Sequence, residues 1–363
     1  RFWMEHVLFE VFGLTEPPSE KSADESFAHI SDRLARADYR PRALFERFGI
    51  ELLATTDPAD SPLDSHEILA QDGWRDRVIP TFRPDSLLEP LREGWGSELD
   101  RLSTASGIDA REYDGYLAAL RQRRRAFIAA GARATDHSHV VADTTPLLET
   151  EARRVFSAAQ AGHASKAEGR AFTAHMLFQM AAMSTEDGLV MQLHHGILRD
   201  HDRGFARTFG GNAGFDIPVS MEFSRALRPM LEAFGHEPRF RTVVFTCDET
   251  TYSRELAPLA GAYPSLRLGA PWWFLDAPAA MRRFREATVE TAGFYNTAGF
   301  VDDTRAFCSI PARHDLARRV DAGFLADLVA EHRLSLDEAI DTARALAYDL
   351  PVRAYPPLTE THS

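Results

Sequence analysis

The stretch GFVDDTRAFCSIPARHDLARR, residues 299–319, opens with an apolar run and continues with a dense set of charged side chains. We predict a strand over residues 299–307, with Asp302, Asp303 and Arg305 near its end. Carboxylates and a guanidinium group are costly to bury at such a place unless they meet a metal, a substrate or one another. A functional site around Asp303 and Arg305 and a purely structural ion pair between them are both open on this stretch alone.

Apolar segments of strand length alternate with amphipathic helical segments through the rest of the chain. The predicted strands are residues 50–55, 77–82, 132–135, 188–193, 241–246, 265–268 and 299–307. The predicted helices are residues 1–13, 22–37, 41–48, 110–130, 148–161, 167–183, 219–234, 253–262 and 276–291, followed by a last one that begins at Ser335 with Glu338 completing a capping box. Alternation of this kind predicts an α/β fold, a parallel sheet with helices outside it.

Seven units of strand and helix fall one short of the eight that close a barrel. The missing strand could precede Arg1, where the chain enters a helix pattern without a signal peptide, as expected of an internal piece of a longer chain. We divide the chain into a helical part at residues 1–49, barrel strands and helices at residues 50–330, and a C-terminal helix and tail at residues 331–363. Residues 57–75 are predicted to be a surface-loop insertion in the barrel.

Polar residues follow each predicted strand. They are Asp57, Arg83, Asp136 and His137, His194, Asp248 and Glu249, Trp272 and Trp273, and Asp303 and Arg305. In a barrel of alternating strands and helices, chemistry occurs at the C-terminal ends of the strands. The recurrence of such residues at the same end of successive units favours the functional interpretation of Asp303 and Arg305.

The composition excludes several classes of function. The formal net charge of −13 argues against nucleic-acid binding and against an anionic membrane surface. No apolar run approaches the roughly 20 residues that cross a bilayer. The chain has two cysteines, Cys247 and Cys308, which give no disulfide framework and indicate a reducing cytoplasm. Carboxylates beside Cys247 make it a poor nucleophile.

The segment around Gln192 places imidazole and guanidinium groups just past an apolar strand. His194 could ligate a metal or hydrogen-bond a sugar hydroxyl, although a lone histidine at a strand end is more often structural. The nearby Gln192 and Arg199 favour the functional interpretation. Arg83 could anchor an acid or simply pair with Asp85.

Residues 136–139, DHSH, contain a His-x-His pattern, a spacing at which two imidazoles on one face of a strand can bind a metal. The preceding segment is a poor strand, so we place His139 outside the site and favour Asp136 orienting His137 toward a substrate. Trp272 and Trp273 could stack on a sugar, with core packing as the alternative. We find no glycine-rich phosphate loop and predict no nucleotide cofactor.

Short segments spread over nearly the whole chain have an order and spacing that are specific when taken together. They are WMEH (3–6), RPRALF (40–45), ATTD (54–57), PTFRPD (80–85), DH (136–137), QLH (192–194) with Arg199, WWF (272–274), DTR (303–305) and RH (313–314). In these segments the sequence resembles the uronate isomerases (glucuronate isomerases) of the amidohydrolase superfamily. The resemblance implies a (β/α)8 TIM-type barrel, here without its first strand, and a bacterial cytoplasmic enzyme of sugar-acid catabolism.

The resemblance also implies an activity and a site. The expected reaction interconverts D-glucuronate with D-fructuronate and D-galacturonate with D-tagaturonate through a cis-enediol, with Asp303 as the base and Arg305 holding the substrate carboxylate or the enediolate. The expected substrate-binding residues are Arg83, His137, Gln192, His194, Arg199, Trp272, Trp273, Arg313 and His314. A divalent metal, zinc by preference, is expected on Asp303 and His194, and the partners are hexuronates and a possible second copy of the chain.

The chain departs from the family pattern at one point. The family has a His-x-His after its first strand, in an N-terminal region that the chain does not contain, and residues 137–139 do not replace it. A truncated member would lack two metal ligands and part of the pocket. The alternatives are a metal-dependent hydrolase of the same superfamily and an inactive sugar-acid-binding fragment.

Overall fold

The sheet at the centre of the molecule is parallel and singly wound. A computed structural model of the chain describes residues 2–358. Its strands are β1 (Leu53–Pro58), β2 (Val78–Arg83), β3 (Ala134–His137), β4 (Val190–His195), β5 (Ile197–Leu198), β6 (Ile217–Pro218), β7 (Thr242–Thr246) and β8 (Leu266–Leu268). Six of them pair in the order β1-β2-β3-β4-β7-β8, every neighbour being parallel, while β5 and β6 form a small antiparallel hairpin. This is the strand order of an α/β barrel, as predicted.

A seventh strand position is only one residue long. Thr297 pairs with Leu268 in a parallel bridge, and residues 299–304 are not a strand, so the prediction for residues 299–307 is wrong. The chain turns at Gly299, whose φ of +69° favours glycine and where a Cβ would lie 2.6 Å from the Leu346 carbonyl oxygen. Phe300 then donates its N–H to Leu346 rather than to a strand. Among residues 2–358, β1 and Thr297 stand at the two open edges of the sheet.

Helices cover the outside of the sheet. They are α1 (Phe2–His6), α2 (Ala23–Ala35), α3 (Pro41–Arg47), α4 (Asp64–Gln71), α5 (Asp85–Leu88), α6 (Trp95–Ser106), α7 (Tyr113–Ala129), α8 (Glu149–Gln160), α9 (Lys166–Asp187), α10 (Arg203–Phe209), α11 (Arg228–Phe234), α12 (Ala257–Ala262), α13 (Pro278–Ala292), α14 (Ile310–Ala330), α15 (Leu336–Arg344) and α16 (Leu350–Ala354). The capping box predicted at Ser335 and Glu338 is present at the start of α15.

One loop prediction and one helix prediction need correction. The insertion at residues 57–75 is not a loop throughout, because DSHEILAQ forms α4, with acidic residues in its first turn and His66 buried. The helix predicted at residues 219–234 begins only at Arg228, because the segment before it is fixed by side chains. Glu255 accepts the N–H groups of Phe223 and Ser224, which holds that segment in a non-helical conformation.

Residues of alternate strand positions form two separate apolar layers, because successive side chains of a strand point to opposite faces. The interior layer contains Ala134, Val190, Val243, Phe245, Cys247 and Trp272. The outer layer, against the helices, contains Phe82, Met191, Leu193, Val244, Leu266 and Leu268. This alternation decides which strand-end residues reach the inside of the sheet and which reach the helices.

The terminal helices pack on the same body. Phe2 and Trp3 contact the cluster of Ala270, Phe300 and Leu316, and Tyr355 packs in the interior layer. The three-part division at residues 49 and 330 stays a prediction, and the end of the predicted tail, residues 359–363, and Arg1 lie outside the described residues. Within residues 2–358, no helix has the length and apolar character needed to traverse a bilayer.

Candidate active site

Three strand-end side chains on the interior face form a linked chain of contacts. The Arg83 guanidinium lies 3.2 Å from Asp136 Oδ2, and His194 Nδ1–H donates to Asp136 Oδ1 at 2.6 Å. They come from β2, β3 and β4, which are neighbours in the sheet. The carboxylate fixes the imidazole with its proton on Nδ1, so that the lone pair of Nε2 is available to a substrate.

Electrostatics hold Asp136 and Arg83 in their charged forms. Burial alone would raise the pKa of Asp136, but His194 and Arg83 outweigh it and keep that pKa below its ordinary value. Burial likewise works against the Arg83 charge, but Asp85, Asp136 and, more weakly, Asp303 raise the pKa of Arg83 above its ordinary value. Asp136 is therefore an anion at neutral pH, and Asp303 lies near enough to interact with Arg83.

Aromatic rings form a wall beside His194. Its ring stacks on Phe245 at 4.2 Å between centroids and meets the edge of Trp272 at 4.6 Å. Trp273 lies 5.2 Å from Trp272, and the Arg199 guanidinium lies 5.0 Å above the Trp273 ring. The predicted residues Arg83, His194, Arg199, Trp272 and Trp273 are thus linked through one continuous series of contacts.

Gln192 lies one interior position below His194 on β4. Its Oε1 accepts the hydroxyl of Tyr355 at 2.7 Å, and burial raises the pKa of that tyrosine above its ordinary range. This hydrogen bond ties the C-terminal segment to the floor of the site. Gln192 is predicted to bind substrate, but its amide oxygen already accepts the Tyr355 hydroxyl in this structure.

Asp303 and Arg305 lie on a segment between Thr297 and α14, and both side chains are exposed. No ion pair joins them, so the structural pair considered from the sequence does not form among the described contacts. The buried carboxylate of the pair 302–303 is Asp302, whose side chain is 8% exposed. Asp303 and Arg305 are therefore free to meet a ligand, on a segment without strand hydrogen bonds.

Arg313 is buried between two carboxylates. It forms ion pairs with Asp276 and Asp302, donates to the Asp303 carbonyl at 2.9 Å and lies 4.5 Å over the Trp3 ring. Burial raises the pKa of both Asp276 and Asp302 to about 6. The neighbouring His314 packs edge-on against Phe300 at 5.0 Å, and burial lowers its pKa to about 4. The guanidinium anchors the segment that carries Asp303.

Replacing Arg313 is expected to destabilise the protein strongly. Arg313→Met removes the cation and leaves two buried carboxylates unpaired, which costs about 3–5 kcal/mol of the free energy of unfolding. Arg318→Met is the matched control, because Arg318 is on the same helix and exposed; a surface change of this kind stays within about 0.5 kcal/mol. Chemical denaturation measures both. Equal stability of the two variants would contradict the structural role of Arg313.

A second polar cluster lies beside the first, on the other side of β3. His137 faces opposite to Asp136 and is fully buried, so the prediction that Asp136 orients His137 is wrong; Asp136 orients His194. Asp85, His137 and His139 place one ligand atom each within 4.8 Å of one another, the one such group found among residues 2–358. These donors suit a divalent metal ion. Neither His194 nor Asp303 belongs to this group.

The two histidines of this cluster differ electrostatically. Burial lowers the pKa of His137 well below its ordinary value, so that ring is neutral. Burial acts in the same sense on His139, but the charges of Asp85 and Glu89 outweigh it and raise the pKa of His139 above its ordinary value. His139, which the sequence placed outside the site, is thus the centre of a buried polar group.

Other predicted strand-end residues make structural contacts. Asp57 accepts from Thr55 at 2.6 Å within β1, Asp248 accepts the Met221 N–H at 2.8 Å, and Glu249 pairs with Arg283 at 2.7 Å. Burial raises the pKa of the Cys247 thiol to about 12, which excludes a thiolate at neutral pH. A cavity of about 600 Å³ lies at the opposite end of the strands, near Arg241, Arg267 and Arg353, away from these groups.

The fold and the site together define a class. Parallel strands in barrel order, with ionisable side chains gathered at their C-terminal ends, are those of an α/β-barrel enzyme. A family model described as glucuronate isomerase matches residues 1–353, and the chain belongs to that family. The resemblance predicted from the sequence segments is thereby confirmed, and with it the isomerase class of enzyme.

Known uronate isomerases are similar to this chain over almost its whole length. The uronate isomerase of Rhizorhabdus wittichii is 53% identical over 355 residues, which are 98% of this chain and 76% of the relative. The crystal structure of glucuronate isomerase from Caulobacter crescentus is similar with a TM-score of 0.95 and 48% identity, covering 98% of this chain and 74% of that one. The uronate isomerase of Thermotoga maritima gives a TM-score of 0.92 at 28% identity, over 97% of this chain and 78% of that one.

Proposed function

We propose that this chain interconverts hexuronates and ketohexuronates, D-glucuronate with D-fructuronate and D-galacturonate with D-tagaturonate. The proposal rests on the hydrogen-bonded Asp136–His194 pair. This pair lies beside Arg83 and an aromatic wall at the C-terminal ends of the strands. Membership of the glucuronate isomerase family supports the same reaction.

The isomerisation moves one proton from C2 to C1 and one proton from O2 to O1. In the open-chain aldehyde a base takes the proton from C2, the electrons form the C1–C2 double bond, and the aldehyde oxygen is protonated to give the cis-enediol. Loss of the O2 proton and protonation of C1 then give the ketose. Such transfers need one group near carbon and one near oxygen, each within hydrogen-bond reach.

The described residues offer one group for each task. We assign the carbon proton to Asp303, as the sequence predicts, because its carboxylate is free and lies near the Arg83 charge. We assign the transfer between oxygens to His194 Nε2, whose lone pair takes the proton from O2 and returns it to O1, because Asp136 holds the other ring nitrogen. Asp303 is exposed in this structure, which leaves its carboxylate accessible to a bound substrate.

Guanidinium groups are assigned to the substrate carboxylate. Arg305 has no side-chain partner among the described contacts, and Arg199 lies over Trp273 with its nearest carboxylate, Asp216, at 3.6 Å. A planar fork of donors matches a carboxylate, which is the group that separates a uronate from a neutral sugar. Substrate binding by Arg313, His314 and His137 stays a prediction. Arg313 is held by two carboxylates, His314 packs on Phe300 and His137 is buried.

Zinc on Asp303 and His194 also stays a prediction. A catalytic zinc has three protein ligands, and the one group of three suitable donors among the described residues contains neither Asp303 nor His194. When bound, a divalent ion would supply Lewis-acid polarisation of a substrate oxygen. The steps assigned above use only the side chains of the chain.

We also propose a cytoplasmic location for the enzyme. Both cysteines, Cys247 and Cys308, are unpaired thiols, as expected in a reducing compartment. A homo-oligomer stays a prediction, since the structure contains a single chain.

The proposed function is tested by product formation. The purified chain is incubated with D-glucuronate or D-galacturonate, with and without added zinc, and the ketose is measured. We expect ketose from both uronates and none from D-glucose, the matched neutral control that lacks the carboxylate. Binding of uronate without any ketose, in folded protein, would contradict the proposal and favour a sugar-acid-binding role.

A further inference from the structure

We propose that Asp85, His137 and His139 bind a divalent transition-metal ion, zinc by ligand type, on the helix-facing side of the sheet. The site is separate from the pair of ligands predicted at Asp303 and His194, and it goes beyond the proposed isomerase function. Two imidazoles and a carboxylate are a donor set that zinc accepts.

The ligand atoms are close to the geometry that a metal requires. His139 Nε2 lies 3.5 Å from Asp85 Oδ1, a distance too long and poorly aligned for a hydrogen bond. Two ligands of a tetrahedral zinc, each at about 2.0–2.1 Å from the ion, are about 3.3 Å apart. All three donors lie within 4.8 Å of one another, so small side-chain rotations bring them to one ion.

Buried ring nitrogens without partners point to something that binds them. His137 is completely buried and His139 is 4% exposed, yet His137 Nδ1 and His139 Nε2 have no hydrogen-bond partner within residues 2–358. Buried polar atoms are almost always satisfied in native proteins. A metal ion accepts both lone pairs at once, whereas an imidazolium at His139 leaves His137 Nδ1 unsatisfied.

Neighbouring groups fix each ligand in the form that binds metal. His139 Nδ1 is 2.9 Å from Glu89 and His137 Nε2 is 3.1 Å from Thr135 Oγ1. Hydrogen bonds of this kind leave the lone pair on the other nitrogen, the arrangement of carboxylate–histidine–zinc sites. Arg83 donates to Asp85 Oδ2, and the Ser138 N–H donates to both oxygens, so the Asp85 carboxylate is held in place beside His139.

The site joins the segments after β2 and β3 and touches the candidate active site through one residue. Arg83 bonds Asp85 at 2.9 Å and Asp136 at 3.2 Å. An ion on Asp85 therefore fixes the position of Arg83 beside Asp136. We assign it a structural role, because His137 and His139 are both buried away from solvent.

Metal content tests the proposal directly. The full chain is freed of metal with EDTA, given one equivalent of ZnCl₂ and passed through gel filtration, and bound zinc is counted by mass spectrometry. We expect one zinc per chain in the wild type and in His163→Asn, the control at an exposed histidine, and its loss in His139→Asn. X-ray absorption is expected to show two imidazoles and oxygen around the ion.

A second variant covers the case in which His139→Asn does not fold. Glu89 is 41% exposed at its side chain, so Glu89→Gln is expected to fold normally, as circular dichroism checks, and to bind zinc about 10–100-fold more weakly. Wild-type protein that retains no zinc overturns the proposal. So does zinc that persists in both variants, or zinc that is lost only in Asp303→Asn. None of these readouts depends on isomerase activity.

Discussion

Asp136→Asn is expected to reduce kcat for hexuronate isomerisation on the order of a thousandfold while the protein stays folded. Asp136 accepts the Nδ1–H of His194 at 2.6 Å and carries a negative charge at neutral pH. An asparagine of the same shape can present its amide N–H to that nitrogen, which favours the tautomer with the proton on Nε2. The nitrogen that we assign to the oxygen protons is then blocked.

The pattern of kinetic constants separates this role from simple damage to the site. We expect kcat to fall with KM nearly unchanged, because Asp136 is placed behind His194. Asp76→Asn is the matched control, since Asp76 is an exposed carboxylate without a charged partner among the described contacts. A variant Asp136→Asn with at least half of the wild-type kcat would contradict the assignment.

Asp303→Asn is the second change with a large expected effect. It is expected to lower turnover by about 10²–10⁴-fold, because it removes the carboxylate that we assign as the base. The side chain is exposed and makes no hydrogen bond among those described, so the free energy of unfolding is expected to change by less than about 0.5 kcal/mol. Loss of turnover in this variant cannot then be attributed to unfolding.

Thermal unfolding and steady-state kinetics check the two halves of this prediction. The same Asp76→Asn protein is the control for the loss of one exposed carboxylate. Near-normal turnover by Asp303→Asn would remove Asp303 from the mechanism and leave the Asp136–His194 pair as the proton-transfer group.

The architecture was largely predictable from the chain. Apolar strands such as residues 241–246 alternate with helices at regular intervals. This pattern predicts the parallel sheet and six of its strands. Residues 299–307 were the exception, because an apolar run of four residues is equally compatible with a strand and with an irregular segment. Only the contact of Gly299 with the C-terminal part of the chain, which the sequence does not display, decides between them.

The residues of the site were predictable as a set, but their partners were not. Strand-end position singled out Asp136, His137 and His194. It did not show that Asp136 would meet His194, 58 positions along the chain, because that contact depends on β3 pairing with β4 in one register. A shift of β3 by two residues, from 132–135 to Ala134–His137, placed both predicted residues inside the strand.

The alternation of side-chain direction along a strand also predicts which strand-end residues share a face of the sheet. Asp136 and His137 are adjacent, so they face opposite sides of the sheet and cannot act on one ligand. Applying the same rule to β4 separates His194, which faces the interior, from His195. Phe245 and Tyr355 remained unnoticed, because nothing in their local sequence distinguishes an aromatic wall from core packing.

The fate of the hydrogen on C2 tests the central claim most directly. D-Glucuronate and the purified chain are combined in D₂O, and the ketose and the remaining aldose are followed by NMR. Proton transfer through an enediol, with the exposed Asp303 carboxylate as base, predicts ketose that carries deuterium at C1. Ketose formed with complete retention of the original hydrogen, at the same rate in Asp303→Asn and Asp136→Asn, would contradict the account.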